Sequence, residues 1–228
     1  RLRREAGVDV KAGRPHVAYR ETIRKTVEQE GKFVRQAGEH GQYGHVKLLL
    51  EPRQAGGGYQ FEVATAADGV PAAFVPAIDE GVREQMAAGI VAGYPVVDVR
   101  VTLTGGSATA DASAAAYRLA SAAAFKDGAR KAHPVLLEPI MSVAVVTPES
   151  CMGDVNGDLA RRRGVVQSLD DSPTGRIVRA RVPLAEMFGY ATKLRSLSQG
   201  RATFTMQFSE YAEVPAHLTQ DVLKDRAA

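Results

Sequence analysis

The sequence contains a single cysteine, Cys151, and it lacks any apolar run long enough to cross a lipid bilayer. One cysteine excludes an intramolecular disulfide and is compatible with a reducing compartment. The first residues show no basic segment followed by an apolar core, so there is no secretory signal. These absences predict a cytoplasmic protein without a membrane partner. The chain opens on Arg1 rather than on methionine, which indicates a fragment of a longer protein or a processed chain.

Sequence motifs of catalysis are also missing. No Gly-x4-Gly-Lys-Ser/Thr segment is present, so the chain has no P-loop for a nucleoside triphosphate, and no spacing is typical of a nucleophile elbow. Only His40 and His45 lie close together among the five histidines, and as a pair of metal ligands they would lack an obvious third ligand in the loop. We interpret both as solvent-facing, and we interpret Cys151 as a small, partly buried thiol. We therefore expect no catalytic residue, no cofactor and no metal site in these residues.

Positive charge is concentrated near the N-terminus. The net charge is only +3, but residues 1–50 hold eleven Lys or Arg against six Asp or Glu, whereas residues 51–100 hold three against seven. Such a local surplus is expected of a surface that binds nucleic acid. A solvated strand edge protected by charge would give the same pattern, and charge alone does not separate the two interpretations.

The pattern of apolar residues predicts a mixed strand and helix unit in residues 13–133, after a tail of a preceding element in residues 1–12. Ile78, Val82, Met86 and Ile90 recur every four residues, which is typical of an amphipathic helix. Asp111 or Ser113 is placed to cap the alanine-rich helix that follows. The predicted strands are 16–27, 32–36, 43–51, 59–64 and 96–103. The predicted helices are one that starts near Pro76 and ends between Gly89 and Gly93, and a second over residues 114–131.

A second unit is predicted from residue 134 to residue 228, after His133 and Pro134 interrupt the chain. Its elements follow the order β-α-β-β-α-β, which is the signature of a ferredoxin-like fold, with a last helix after Pro215. The sequence thus predicts an α+β protein, in which a unit of mixed strands and helices precedes a ferredoxin-like unit. The predicted elements are strand 135–147, helix 152–163, hairpin 165–169 with 176–182, the mostly helical 184–196, strand 203–210 and helix 216–226.

A glycine-rich hairpin loop is predicted over residues 38–45 of the first unit, between two basic strands. Three glycines in positions 38–44 allow backbone conformations that other residues resist. A polar tip on a cationic ribbon suits contact with phosphates and bases, whereas it does not suit a closed apolar pocket. A second loop is predicted over residues 104–113.

Two basic segments stand in the second unit. In residues 158–164, three consecutive arginines precede Gly164. Cations in the last turn of a helix, followed by a glycine, are typical of a helix end. Three consecutive arginines, however, point in different directions and cannot all cap one helix. At least one is therefore available for a phosphate or an acidic partner. The second segment, residues 189–201, has the groups that contact phosphate and sugar oxygens, and a polar helix end is its structural alternative. These groups belong to Lys193, Arg195, Ser196, Gln199 and Arg201.

Six motifs in order resemble the C-terminal part of bacterial-type translation elongation factor G, and the resemblance covers essentially the whole chain. The resemblance implies that residues 13–133 correspond to the family's fourth domain, an elongated βα unit, and that residues 134–228 correspond to its fifth domain. The fourth domain of relatives enters the decoding region of the small ribosomal subunit in place of a tRNA anticodon arm. The fifth domain lies near the sarcin–ricin loop and the stalk base of the large subunit. The six motifs are GRPHVAYRETIR at 13–24, GQYGHV at 41–46, AGYPVVD at 92–98, LLEPIM at 136–141, GDVNGDLARRRG at 153–164 and MFGYATKLRS at 187–196.

The resemblance also implies a function and a set of RNA contacts. Family members move tRNA and mRNA through the ribosome, acting as monomers, and GTP with Mg²⁺ binds an N-terminal domain that this chain lacks. Residues 38–44 and 105–111 correspond to the two tip loops of the fourth domain. The implied RNA-contacting residues are Gly38, Glu39, His40, Gly41, Gln42, Tyr43, Gly44, Ser107, Ala108, Thr109, Arg161, Arg162, Arg195, Ser196 and Gln199.

Two departures from the family pattern leave alternatives open. The first tip loop reads Gly38-Glu39-His40-Gly41 where relatives have Gly-Gly-Arg-Gly, and the second lacks the usual histidine near Ala108. Loss of a cation weakens phosphate contacts at the tip. A paralogue specialised in ribosome recycling is therefore an alternative to a translocase, and a stand-alone RNA-binding module without a GTPase is another.

Overall fold

The computed structural model describes residues 17–37, 40–65, 67–173 and 175–227, and it confirms the predicted α+β class. The tail predicted for residues 1–12 and the tip residues Gly38 and Glu39 lie outside the described residues. The strands are β1 Arg20–Ile23, β2 Val27–Ala37, β3 His40–Pro52, β4 Gln60–Val63, β5 Val99–Ser107, β6 Pro134–Thr147, β7 Val165–Ser172, β8 Gly175–Pro183 and β9 Thr203–Glu213. The helices are α1 Val75–Ala88, α2 Ala114–Lys131, α3 Met152–Arg161, α4 Tyr190–Ser198 and α5 Ala216–Ala227.

The first sheet has four strands in the order β2-β3-β5-β4, of which only β4 and β5 pair in parallel. The helices α1 and α2 close one face of the core, which contains the fully buried Tyr117 and Phe125. The amphipathic pattern predicted α1 correctly, and the helix ends at Gly89, whose φ of 81° favours glycine. Helix α2 has the predicted bounds, and Ser113 caps it by accepting a hydrogen bond from the Ala116 N–H at 3.3 Å.

The second sheet is built around β6, with β9 on one edge and β8, followed by β7, on the other. This is the predicted ferredoxin-like arrangement, with α3 and α4 packed on one face over a core that includes Leu159 and Tyr190. The region predicted as mostly helical, 184–196, divides into a 3-10 turn, Leu184–Met187, and α4. Gly189, at φ 74°, separates the two helical pieces.

The strand predicted over residues 16–27 is wrong as a single element. The chain forms two strands there, and they belong to different sheets: β1 pairs with β6 from Arg20↔Leu137 to Ile23↔Pro134, while β2 pairs with β3. The break occurs because the N–H groups of Arg24 and Lys25 both donate to the carbonyl of Ala132, at 3.0 Å each. A strand from the N-terminal part thus completes the sheet of the C-terminal part.

Glu21, in the middle of β1, fastens this strand to the first unit. Its side chain is only 1% exposed. One carboxylate oxygen accepts the N–H groups of Ile90 at 2.7 Å and Val91 at 2.9 Å, and the other accepts those of Ala92 and Tyr94, both at 2.9 Å. Four donors around one buried carboxylate satisfy the charge that burial would otherwise leave without solvation. The connection between α1 and β5 is therefore wrapped around a side chain from β1.

No helix among the described residues is long and apolar enough to cross a membrane.

Candidate nucleic-acid interface

The two predicted tip loops meet at one end of the first sheet. The Tyr43 N–H donates to the carbonyl of Asp111 at 2.8 Å, and the Ser113 N–H donates to the carbonyl of Tyr43 at 3.3 Å. Residues 108–113 therefore lie alongside the end of the β2–β3 hairpin, next to the start of α2. Within that segment Ala108, Thr109 and Asp111 are exposed. The structure thus forms one surface, the tip, from two segments separated by about seventy residues in sequence.

The glycines near the tip serve close packing as much as conformational freedom. A Cβ on Gly44 would lie 2.4 Å from the carbonyl carbon of Ala116, and a Cβ on Gly41 would lie 2.4 Å from a carboxylate oxygen of Asp111. Real Cβ atoms do not approach other atoms so closely. The hairpin loop predicted over residues 38–45 is wrong for residues 40–42, which belong to β3 together with the predicted strand 43–51. These glycines let β3 lie against the start of α2.

The second loop is also shorter than expected, because β5 continues to Ser107. Gly105 pairs with Lys47 and Gly106 pairs with Val46, next to an irregularity in the register. A Cβ on Gly106 would lie 2.2 Å from the carbonyl oxygen of His45. Gly106 thus allows a close approach of β5 to β3 within the sheet.

Ser107 is the centre of a hydrogen-bonded group just below the tip. Its hydroxyl lies 2.7 Å from the Tyr43 hydroxyl and 2.7 Å from Nδ1 of His45, and its carbonyl accepts the Tyr117 hydroxyl at 2.8 Å. The Nε2 atom of His45 lies 2.7 Å from a carboxylate oxygen of Glu30. Burial is the main cause that raises the pKa of Tyr117. Hydrogen bonds therefore connect β2, β3, β5 and α2 just below the tip.

The expectation that His45 faces solvent is wrong, since its side chain is only 12% exposed and both ring nitrogens have partners. Sequence reasoning missed this role because Glu30 and Ser107 lie far from His45 in the chain. The strand register, which pairs His45 with Ser107, is what brings them together. His40 begins β3 as part of the backbone pairing with Ala37.

The second candidate surface is the end of α4. Gln199, at φ 52°, and Gly200, at φ 79°, end the helix in the left-handed region, and the Gly200 N–H donates to the carbonyl of Arg195 at 2.9 Å. Arg195, Ser196 and Gln199 are exposed. Within the described part of the chain, none of these three side chains has a hydrogen bond or an ion pair. The helix end therefore presents a guanidinium, a hydroxyl and an amide together to solvent.

Two other residues of this segment have structural contacts. Ser198 is buried, and its hydroxyl donates to the carbonyl of Leu194 at 2.8 Å. The guanidinium of Arg201 donates to the Ser198 carbonyl at 3.3 Å and contacts Sγ of Cys151 at 3.5 Å. Cys151 itself is buried, at 6% exposure. Arg201 thus stabilises the turn after α4.

The three consecutive arginines at the end of α3 have different environments. Arg161 is exposed and, across the residues that the structure describes, unpaired. Arg162 donates to Asp158 at 2.8 Å and to the carbonyl of Glu186, and its guanidinium stacks over the Tyr190 ring at 5.0 Å. Burial, the largest cause, together with the nearby Asp158 charge, raises the pKa of Tyr190 to about 12. An RNA contact by Arg162 stays a prediction that would require these contacts to open.

Arg163 forms a buried ion pair. It donates two hydrogen bonds to the carboxylate of Glu138, at 2.8 and 2.7 Å, and a third to Glu186 at 3.1 Å. Glu138 is only 3% exposed, and its hydrogen bond raises the pKa of Arg163. Arg163 also takes the left-handed conformation, with φ 58°, just before Gly164. Of the three arginines, Arg161 is therefore the one that is available to a partner.

The described residues contain no group of three or more His, Cys, Asp or Glu side chains that could hold a metal ion.

Comparisons with known proteins match both halves of the chain. The family model described as elongation factor G, domain IV matches residues 15–133, and the model described as elongation factor G C-terminus matches residues 135–222. Among solved structures, the chain is similar to a protein from Thermus thermophilus, with 41% sequence identity and a TM-score of 0.87. That similarity covers 98% of this chain and 34% of the Thermus protein, so the chain spans about a third of its length. The chain belongs to the elongation factor G family.

Proposed function

We propose that this chain is the ribosome-binding, C-terminal part of a translational GTPase that promotes the movement of tRNA and mRNA. The observation that carries the proposal is the tip, where the Tyr43 N–H and the Asp111 carbonyl join two segments at 2.8 Å. A narrow polar end on a supported sheet suits insertion into an RNA groove, where shape and backbone contacts decide binding. The tip would enter the decoding region of the small ribosomal subunit.

The end of α4 would supply the second contact. We infer that Arg195, Ser196 and Gln199 face the sarcin–ricin loop of the large subunit, with Arg161 as a further cation toward the stalk base. The support is that these side chains are exposed and have no partners within the described residues. GTP and Mg²⁺ would bind the N-terminal part of the complete factor, which would act as a monomer in the cytoplasm, where ribosomes work.

We further propose that these residues perform no bond chemistry. A cavity of about 390 Å³ lies between the two units, and its walls are mainly apolar. Its charged residues already have partners: four N–H groups surround Glu21, and Arg24 pairs with Glu213. A catalytic site would need convergent titratable groups with free positions for a substrate.

Ribosome recycling is the second candidate function. Glu39 and His40 occupy positions where the resemblance leads us to expect a glycine and an arginine, so the tip carries less positive charge. A weaker phosphate contact would reduce insertion into the decoding region more than it would reduce binding elsewhere. A factor that only splits ribosomes after termination would tolerate that loss.

A reconstituted translocation assay, run beside a ribosome-splitting assay, tests both functions with the complete factor. We expect ribosome-stimulated GTP hydrolysis, and we expect movement of tRNA and mRNA. Splitting without translocation would replace the first function with the second. GTP turnover by this chain alone would overturn the proposal that it is not an enzyme. An initiator methionine close to Arg1 in the gene, with no P-loop upstream, would instead favour the stand-alone RNA-binding module.

Replacing Arg195 with alanine in the complete factor should lower ribosome-dependent GTP hydrolysis and translocation by about tenfold or more. A hydrogen bond to a charged group contributes about 1.5–3 kcal/mol, and this side chain has no structural contact to lose within the described residues. The matched control is Arg179→Ala, since Arg179 is exposed but paired with Asp170 at 2.9 Å. Unchanged activity of the Arg195 variant would show that the contact is misplaced.

A further inference from the structure

A group of basic side chains lies at the end of the first unit that is opposite the tip. The β1–β2 connection meets the C-terminal end of α2, because the Lys25 N–H donates to the carbonyl of Ala132 at 3.0 Å. Arg130 and Lys131 form the last turn of α2, and His133 follows it. We name Lys25, Arg130, Lys131 and His133 the base patch. The eighteen residues of α2 place it about 27 Å from the tip.

The positive charge of the base patch comes from Lys25, Arg130 and Lys131, and ion pairs do not neutralise it within the described residues. All four of its residues are exposed, and none forms an ion pair within the described residues. Lys131 donates to the side-chain oxygen of Gln29 at 2.7 Å, which is a neutral partner. Among nearby carboxylates, Glu213 is paired with Arg24, and Asp127 forms no ion pair with the patch.

Helix capping explains only part of the base patch. Cations in the last turn complement the helix dipole, by about 0.3–1 kcal/mol each, and this accounts for Arg130 and Lys131. Lys25 lies at the same helix end, since its N–H donates to the carbonyl of Ala132, and it adds a third like charge there. Accumulated like charges destabilise a folded chain unless a partner of opposite charge is bound. The base patch is therefore better explained as a binding surface than as a helix cap.

We propose that the base patch binds the phosphate backbone of RNA, as a contact separate from the tip and from α4. Lys and Arg contact phosphates without apolar neighbours, whereas the centre of a protein interface is apolar or aromatic. None of the large apolar side chains that the described residues expose comes from residues 24–26 or 130–133. This inference rests on the proposed function, because the ribosome supplies the RNA.

The test compares two variants of the complete factor, each with three cations replaced by glutamine. The first is Lys25→Gln, Arg130→Gln and Lys131→Gln. The control variant changes Arg176, Arg179 and Arg181, which are already paired with carboxylates. Affinity is measured against ribosomes and against a 20-base-pair RNA duplex over a range of salt concentrations. A single cooperative thermal unfolding transition establishes that each variant is folded, and we expect a small decrease in melting temperature for the base-patch variant because it loses two cations at the end of α2.

We expect the base-patch variant to lose at least tenfold in affinity for both RNA targets, while the control loses little. For this variant, the slope of log affinity plotted against log salt concentration should be less steep by about 2. Each lost phosphate contact reduces the size of that slope by about 0.7–0.9. The charge-conserving variant Lys25→Arg, Arg130→Lys and Lys131→Arg should bind like the parent.

Other outcomes separate the two proposals. Equal binding by the parent and the base-patch variant, on ribosomes and on duplex, overturns the base-patch proposal and leaves the proposed function intact. Loss of ribosome binding with unchanged duplex binding and salt slope assigns the patch to a protein and overturns the RNA contact. A parent that binds duplex through the patch but does not bind ribosomes refutes the proposed function alone.

Discussion

Replacing Glu21 with glutamine is expected to lower the free energy of unfolding by about 3 kcal/mol or more. The carboxylate accepts four N–H groups from Ile90, Val91, Ala92 and Tyr94, two on each oxygen. Glutamine has one oxygen and one NH₂ group, so it must direct a donor at two of those N–H groups. Hydrogen bonds to a charged group contribute about 1.5–3 kcal/mol each, and buried donors left unpaired cost further free energy. Chemical denaturation of this chain measures the loss.

Hydrogen exchange locates the effect of this substitution. The amides of residues 90–94 should exchange faster in the Glu21→Gln variant, while those of the α2 core around Tyr117 and Phe125 change less. Glu28→Gln is the matched control, because Glu28 is exposed and makes one contact at 3.4 Å with Thr104. Its effect should stay below about 0.5 kcal/mol. Unaltered exchange at residues 90–94 in the Glu21 variant would refute this assignment.

Replacing Arg163 with methionine is expected to destabilise the second unit by about 3–5 kcal/mol. The change leaves the carboxylate of Glu138, which is 3% exposed, without its two hydrogen bonds from the guanidinium. Removing one partner of a buried ion pair has a cost of this size, because the remaining charge is unsolvated. Residue 163 has a left-handed backbone conformation, with φ 58°. Arginine and methionine both carry an unbranched Cβ, so the substitution does not change the backbone strain at this position. The melting temperature and denaturation midpoint measure the loss.

A double variant tests the cause. Arg163→Met combined with Glu138→Met removes both charges, and it should recover most of the lost stability. Arg179→Met is the control, since Arg179 and Asp170 are about half exposed and an exposed pair contributes at most about 1 kcal/mol. A double variant as unstable as Arg163→Met alone would show that packing, rather than the unpaired charge, causes the loss.

The sequence predicted the elements whose signals are local. Ser113 precedes α2 as a capping residue, Gly89 ends α1, and the order of elements after residue 134 specifies the ferredoxin-like sheet. Each of these depends on residues within a few positions of one another. The end of α4 was also predictable, because a polar helix end followed by Gly200 is visible in the sequence.

The features that sequence reasoning missed depend on contacts between distant segments. The partners of Glu21 lie about seventy residues away, and Ser107, a partner of His45, lies 62 residues away. No periodicity shows such pairs. The same limit applies to Gly44, which sequence reasoning assigned to a flexible loop although it packs against the Ala116 backbone. Charge counting located the basic surplus in residues 1–50, but it could not show that Lys25 lies far from the tip.

The pairing of β1 with β6 determines where this chain can be divided without exposing a strand. The two family models meet near residue 134, yet Arg20–Ile23 completes the sheet that begins there. A product cut at that boundary would expose the edge of Pro134–Leu137, and such an unpaired edge invites association with other chains. The other product would carry a strand without its sheet. Gene fusion, domain exchange and engineering should therefore succeed only when residues 15–133 and residues 135–222 are moved together. The two regions match separate family models, but β1 of the first is part of the sheet of the second.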